Sequence, residues 1–198
     1  VHGSDSAKKK GQETKDKIKD PDFIDLTEHL LNQVKQKPGA LVVAEMKGIK
    51  PDGTGEYDTL NFATADMESS RVAHGLEKIG FKRGMHTVFM VTPGTDFFSV
   101  LAGIMKVGAI PVLVDPGMGI KRMLSCFKQS HPEAFIAIPK AHILRVLMPK
   151  YFKSVRIWIT AGRKWFWNGL TLNNLFRADD KQFPTVATFR EESAAILF

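Results

Sequence analysis

The chain has 198 residues and a mass of 22.1 kDa, with 43% apolar and 25% charged residues, one cysteine and a formal net charge of +7. This composition excludes a disordered, collagen-like or disulfide-stapled chain, and a domain of this size buries about 70% of its unfolded surface, enough for a real core. Cys126 has no second cysteine to pair with, no apolar run reaches the roughly 18 residues of a membrane span, and the Lys-rich start lacks the apolar segment of a signal peptide. A reducing, cytoplasmic setting is the expectation.

In residues 1–22, Lys8, Lys9, Lys10, Lys15, Lys17 and Lys19 alternate with Asp5, Glu13, Asp16, Asp20 and Asp22, which reads as a flexible Lys-rich tail. Ile24, Leu26, Leu30, Leu31 and Val34 are helix-spaced, so a helix over 23–37 is expected, capped by Asp22 and stopped by Pro38-Gly39. Ala40–Met46 and Tyr57–Phe62 flank Pro51-Asp52-Gly53-Thr54-Gly55 as a β-hairpin. A second helix passes through Met67, Val72, Leu76 and Ile79, with Thr64 as its cap and Gly80 as its left-handed end.

Strands and helices then alternate. Strands are expected at His86–Thr92, Ile110–Asp115, Ala134–Ile138 and Val155–Thr160, with helices at Asp96–Val107, Lys121–Gln129 and Ala141–Met148. Short strands that are apolar on both faces, separated by helices, define an α/β fold with a mostly parallel sheet flanked by helices. Residues 162–189 are irregular except for a short helix at Leu172–Phe176, and Ala194–Phe198 resumes the strand pattern.

Chemistry-bearing motifs are sparse. The six histidines show no ligand spacing, no G-x-S-x-G elbow occurs, and Cys126 sits in an amphipathic stretch as an inert buried thiol, so no metal site and no catalytic residue is assigned. Thr92-Pro93-Gly94-Thr95 and Asp115-Pro116-Gly117-Met118-Gly119 follow strands and precede helices, where consecutive N–H groups can hold phosphate. A plain helix-capping turn gives the same pattern, and the third glycine of a dinucleotide fingerprint is missing. No cofactor-binding residue is assigned.

The positive charge is localised. Residues 134–178 contain no Asp or Glu but carry Lys140, Arg145, Lys150, Lys153, Arg156, Arg163, Lys164 and Arg177. Lys140, His142 and Arg145 at the start of one helix are candidates for phosphate contact, against the plainer reading of a solvated helix face. Arg163, Lys164, Trp165 and Trp167 are candidates for lipid-surface contact, against the plainer reading of aromatics packed on the domain and solvated charges. No nucleic-acid partner is expected, since no matching motif accompanies the basic residues.

The stretch Asn61 to Gly117 resembles acyl-adenylate-forming enzymes, the AMP-dependent synthetase and ligase family. Gly80, Gly84, Val88, Lys106, Gly108, Ala109 and Pro116 stand at that family's motif positions, while Met85-His86 replaces its frequent Asp. "TVFMVTPGTDFF", "GAIPVLVDPGMG", "PEAFIAIP" and "AAILF" are similar to fatty-acyl members, including the β-lactone synthetases of olefin biosynthesis.

The resemblance implies residues 23–198 as the N-terminal α/β subdomain of such an enzyme, stopping just before the family's T-S-G-[ST]-T-G-x-P-K-G phosphate loop. It implies a parent that uses ATP, with Mg²⁺ as cofactor, to activate a fatty acid as an acyl-adenylate with release of pyrophosphate, and that passes the acyl group to coenzyme A with release of AMP. In the β-lactone subgroup, a β-hydroxy fatty acid closes on its own hydroxyl instead. These 198 residues alone are then expected to be inactive, with their open apolar strand at 194–198 prone to self-association. A non-catalytic α/β module that binds a lipid surface remains the alternative from a different class.

Overall fold

In a computed structural model of the chain, residues 23–24, 28–184, 186, 188–189 and 192–198 are described. The expected tail at 1–22 and the Asp22 cap lie outside them. The elements are β1 (Phe23–Ile24), α1 (Glu28–Gln36), β2 (Leu41–Ile49), β3 (Gly55–Asn61), α2 (Phe62–Lys78), β4 (His86–Met90), α3 (Thr95–Lys106), β5 (Ile110–Leu113) and α4 (Ile120–Ser130). They continue with β6 (Ala134–Ala137), α5 (Pro139–Leu147), β7 (Ile157–Thr160), β8 (Leu170–Thr171), α6 (Leu172–Phe176), β9 (Thr188–Phe189) and β10 (Ile196–Leu197).

Six strands form one parallel sheet in the order β10-β5-β4-β6-β7-β8. Both of its faces are buried, which is why its strands read as unbroken apolar runs. Successive residues point to opposite layers. Phe89, Ala134 and Ile136 join Val72, Leu76, Val100, Ile104 and Leu175 under α2, α3 and α6. Val88, Phe135 and Ala137 join Met123, Leu124, Phe127 and Phe152 under α4 and the 3₁₀ turn at Pro149–Phe152.

The helices flanking β4 and β5 end alike. Gly80, at φ +97°, lets the N–H groups of Gly80 and Phe81 bond the carbonyls of Glu77 and Leu76, and Gly108, at φ +72°, repeats the pattern for Met105 and Ile104. This is the paired-bond helix terminus that glycine makes accessible. Lys106 just before it is sealed between α2 and α3. Its Nζ donates to Asp66 Oδ1 at 2.6 Å, Asp66 O at 3.0 Å and Ser70 Oγ at 2.9 Å, and the Phe183 N–H also donates to Ser70 Oγ. A side chain on Gly103 would strike Val72, so that glycine sets the approach of α3 to α2 rather than to the sheet.

Three local expectations are corrected. The first helix starts at Glu28 and not at 23, because Phe23–Ile24 pairs antiparallel with Thr188–Phe189, a contact between distant segments that helical spacing does not encode. Asn61, not Thr64, caps α2: its Oδ1 accepts the Thr64 N–H at 2.8 Å. Leu170–Thr171 adds a strand within the expected irregular stretch. β10 lies at the edge of the six-stranded sheet, with Leu197 largely exposed. The hairpin stands as expected, its turn closed by Asp52 Oδ1, which accepts from the Thr54 N–H and hydroxyl.

Candidate functional site

β4 leads through Val91–Gly94 into α3 on one face of the sheet, whereas its neighbour β6 leads through Ile138 into α5 on the other. Adjacent strands whose connections part in this way open a crevice at their carboxyl ends, where open α/β sheets bind ligands. Two cavities occupy that edge, sharing Val91, Thr92 and Ile138.

The first, of about 310 Å³, is polar and is roofed by the hairpin. Alternation along β2 and β3 puts Glu45, Lys47 and Asp58 on one face of the ribbon. Glu45 Oε1 lies 2.8 Å from Lys47 Nζ, and Glu45 Oε2 accepts the Thr95 N–H at the start of α3 at 3.2 Å. The Thr95 hydroxyl donates to Asp58 Oδ2 at 3.2 Å. The Lys47 hydrogen bond and the Thr95 N–H hold the Glu45 carboxyl below its usual range, while Glu45 raises Lys47. Desolvation pushes Asp96 up, against the attraction of Lys47 and with added repulsion from Glu45 and Asp58. A Cβ on Gly94 would meet the end of the Glu45 side chain, so the glycine leaves room for that carboxylate at the start of α3. Sequence reasoning missed this cluster; its one signal was Glu45-x-Lys47 set on alternate positions of an otherwise apolar strand.

The second cavity, of about 600 Å³, is lined mainly by apolar residues of β4, β5 and β10 and the segments that follow them, including Phe89, Phe97, Leu113, Val114, Leu197 and Phe198.

Both glycine turns singled out for phosphate hold the chain's own carboxylates. The Thr95 N–H is taken by Glu45, and the Gly117 N–H donates to Asp115 Oδ1 at 2.8 Å as the cap of the 3₁₀ turn Pro116–Met118. A carboxylate on the donor repels the phosphate that the donor would otherwise attract. Among the described residues there is also no group of three His, Cys, Asp or Glu able to hold a metal ion. As these residues are arranged, the Thr95 and Gly117 N–H groups are each already taken by a carboxylate.

The three phosphate candidates are not brought together on a surface. His142 is fully buried, donates from Nε2 to Ile159 O at 3.1 Å and stacks on Trp167, and burial pushes its imidazole down to about 4. Arg145 lies over the Trp158 ring at 4.3 Å and donates to Asn168 O at 2.7 Å. Lys140 is exposed. The four lipid candidates also divide. Arg163 and Lys164 are exposed and Trp165 is half-exposed, but Trp167 is in the core with Nε1 donating to Thr160 Oγ1 at 3.0 Å. Phe166, absent from that set, is the most exposed ring of the loop. Cys126 is buried, with Sγ 3.8 Å from Met118 Sδ. Among the described residues no helix is long and apolar enough to cross a membrane.

The family model for AMP-binding enzymes matches residues 30–198. The chain belongs to the AMP-binding enzyme family. It corresponds to the N-terminal portion of that family's proteins. It is 42% identical over 149 residues to an olefin beta-lactone synthetase of Stenotrophomonas maltophilia, covering 74% of this chain and 27% of that protein. It is 34% identical over 166 residues to the olefin beta-lactone synthetase of Xanthomonas campestris pv. campestris, covering 83% and 30%. A long-chain-fatty-acid-CoA ligase of Archaeoglobus fulgidus superposes with a TM-score of 0.73 over 88% of this chain and 34% of that one, at 15% identity, which shows a shared fold. The chain thus spans less than a third of the two synthetases it matches.

Proposed function

We propose that these residues belong to an ATP- and Mg²⁺-dependent adenylate-forming enzyme acting on a β-hydroxy fatty acid, and that the acyl-adenylate closes to a β-lactone. In that closure the β-hydroxyl oxygen forms a bond to the acyl carbon, the bond from that carbon to AMP breaks, and the hydroxyl proton is released. The observation that carries this reading is the 42% identity to an olefin beta-lactone synthetase, against 25% over 105 residues to mouse long-chain fatty acid transport protein 6.

The described residues contribute the wall and not the nucleotide chemistry, since both of their glycine turns are filled by Glu45 and Asp115. The apolar cavity beside β10 has the lining that an acyl chain requires. Incubation of the full-length protein with a β-hydroxy fatty acid, ATP and Mg²⁺, with and without coenzyme A, tests the assignment. Lactone formation is expected. A thioester without lactone would reassign the protein as a fatty-acyl-CoA ligase, and absence of pyrophosphate release would overturn both.

A further inference from the structure

The loop between β7 and β8 is built in two layers. Trp167 is 5% exposed, stacked on His142 with ring centroids 5.3 Å apart and planes 14° from parallel. Outside it, Phe166 and Trp165 rest against the Trp167 ring at 5.2 and 5.4 Å while remaining 75% and 50% exposed. The loop is tied at several points: Lys164 Nζ donates to Gly169 O at 2.9 Å and Arg145 to Asn168 O at 2.7 Å. At Gly169 a Cβ would meet Trp158 O at 2.6 Å, so only glycine closes the loop this tightly. Among these residues, two large rings therefore stand exposed on a preorganised support, an arrangement that lowers the ordering cost of binding something apolar.

We propose that Arg163–Phe166 is a peripheral docking tip that seats Trp165 and Phe166 in the headgroup layer of an anionic lipid bilayer. The charge pattern selects this partner. Of the eight cations in residues 134–178, which contain no acid, Lys150, Lys153 and Arg156 precede β7 and lie toward the opposite end of the sheet, so the charge at the tip itself is that of Arg163 and Lys164. Glu45, Lys47, Asp58 and Asp96 line the polar cavity that reaches Gly162 at the base of the loop. A bilayer surface has the same two layers as the tip, apolar below and anionic above, so rings can sink while basic side chains reach back to the phosphates. This inference stands apart from the adenylate-forming reading and would survive its failure.

The test uses the full-length protein with phosphatidylcholine vesicles prepared with and without phosphatidylserine, read by co-sedimentation and tryptophan emission. Among these residues Trp167 is buried and Trp158 is partly covered, so the part of a vesicle-induced blue shift that Trp165→Phe removes reports on Trp165. Binding to the phosphatidylserine vesicles with a blue shift is expected, and Trp165→Phe should retain binding while losing part of the shift. Trp165→Ala with Phe166→Ala leaves the net charge unchanged, and partitioning should fall by roughly ten-fold or more. Arg163→Gln with Lys164→Gln should weaken binding to phosphatidylserine vesicles and erase their advantage over phosphatidylcholine. Absence of vesicle binding, or binding unchanged by the double alanine variant, overturns the proposal. If that variant instead dissolves an oligomer seen by size exclusion while vesicle binding persists, the tip faces protein and the proposal is likewise overturned.

Discussion

The β4–α3–β5 unit and the loop between β7 and β8 both set lysine among apolar residues, and they dispose of the charge in opposite ways. Lys106 is 3% exposed and is met by Asp66 and Ser70 from α2. Lys164 stands on the surface and closes its own loop through Gly169 O. In the first region the family-motif residues are spent on the fold: Lys106 as an internal tie, Gly108 as a helix end, Pro116 as the start of a capped turn. In the second region one ring, Trp167, anchors the loop, and the fold makes no comparable use of the two beside it. A motif therefore marks what the scaffold needs, whereas surface chemistry appears where packing leaves large side chains outside.

The contrast can be broken by mutation. Lys106→Ala strands the Asp66 carboxylate, which is mostly covered, and should cost about 3–5 kcal/mol in urea unfolding. Lys106→Met with Asp66→Asn should recover part of that loss. Trp167→Ala should likewise cost about 3–5 kcal/mol, whereas Trp165→Ala, two residues away, should change stability by about 0.5 kcal/mol or less. Equal effects from the two tryptophans would dissolve the distinction between anchor and tip.

Acid titration sharpens the comparison further. His142 is lowered from 6.5 to about 4 by burial, so the unfolded chain takes up a proton that the native state refuses across that window. Its contribution is intact above about pH 6.5, and about 3 kcal/mol should be lost as pH falls toward 4. A His142→Phe variant should show a flatter stability profile over the same range. A local effect concerns the site: Gly94→Ala should displace Glu45 from the Thr95 N–H, visible as faster hydrogen exchange at Thr95 with little change in overall stability.

Much of the parallel sheet was legible because strands buried on both faces announce themselves: "HTVFMVT", "IPVLVD" and "AFIAI" all contain the strands observed. The glycine at position 80 was legible for the same local reason, since only that turn chemistry ends the helix there. Features made by distant partners were not. The pairing of Phe23–Ile24 with Thr188–Phe189 joins segments from near opposite ends of the chain, and the docking of Glu45 onto Thr95 depends on how hairpin and sheet meet in space. Nor could an aperiodic loop reveal which of Trp165, Phe166 and Trp167 turns inward, because no repeat relates neighbouring side chains to a face.

In the proposed function these residues build the wall of an adenylate-forming site without a phosphate cradle of their own. The direct measurement is fatty-acid-dependent ATP–pyrophosphate exchange by the 198-residue chain beside the full-length protein. Exchange is expected from the full-length protein and none from the 198 residues. Exchange catalysed by the 198-residue chain itself would contradict it.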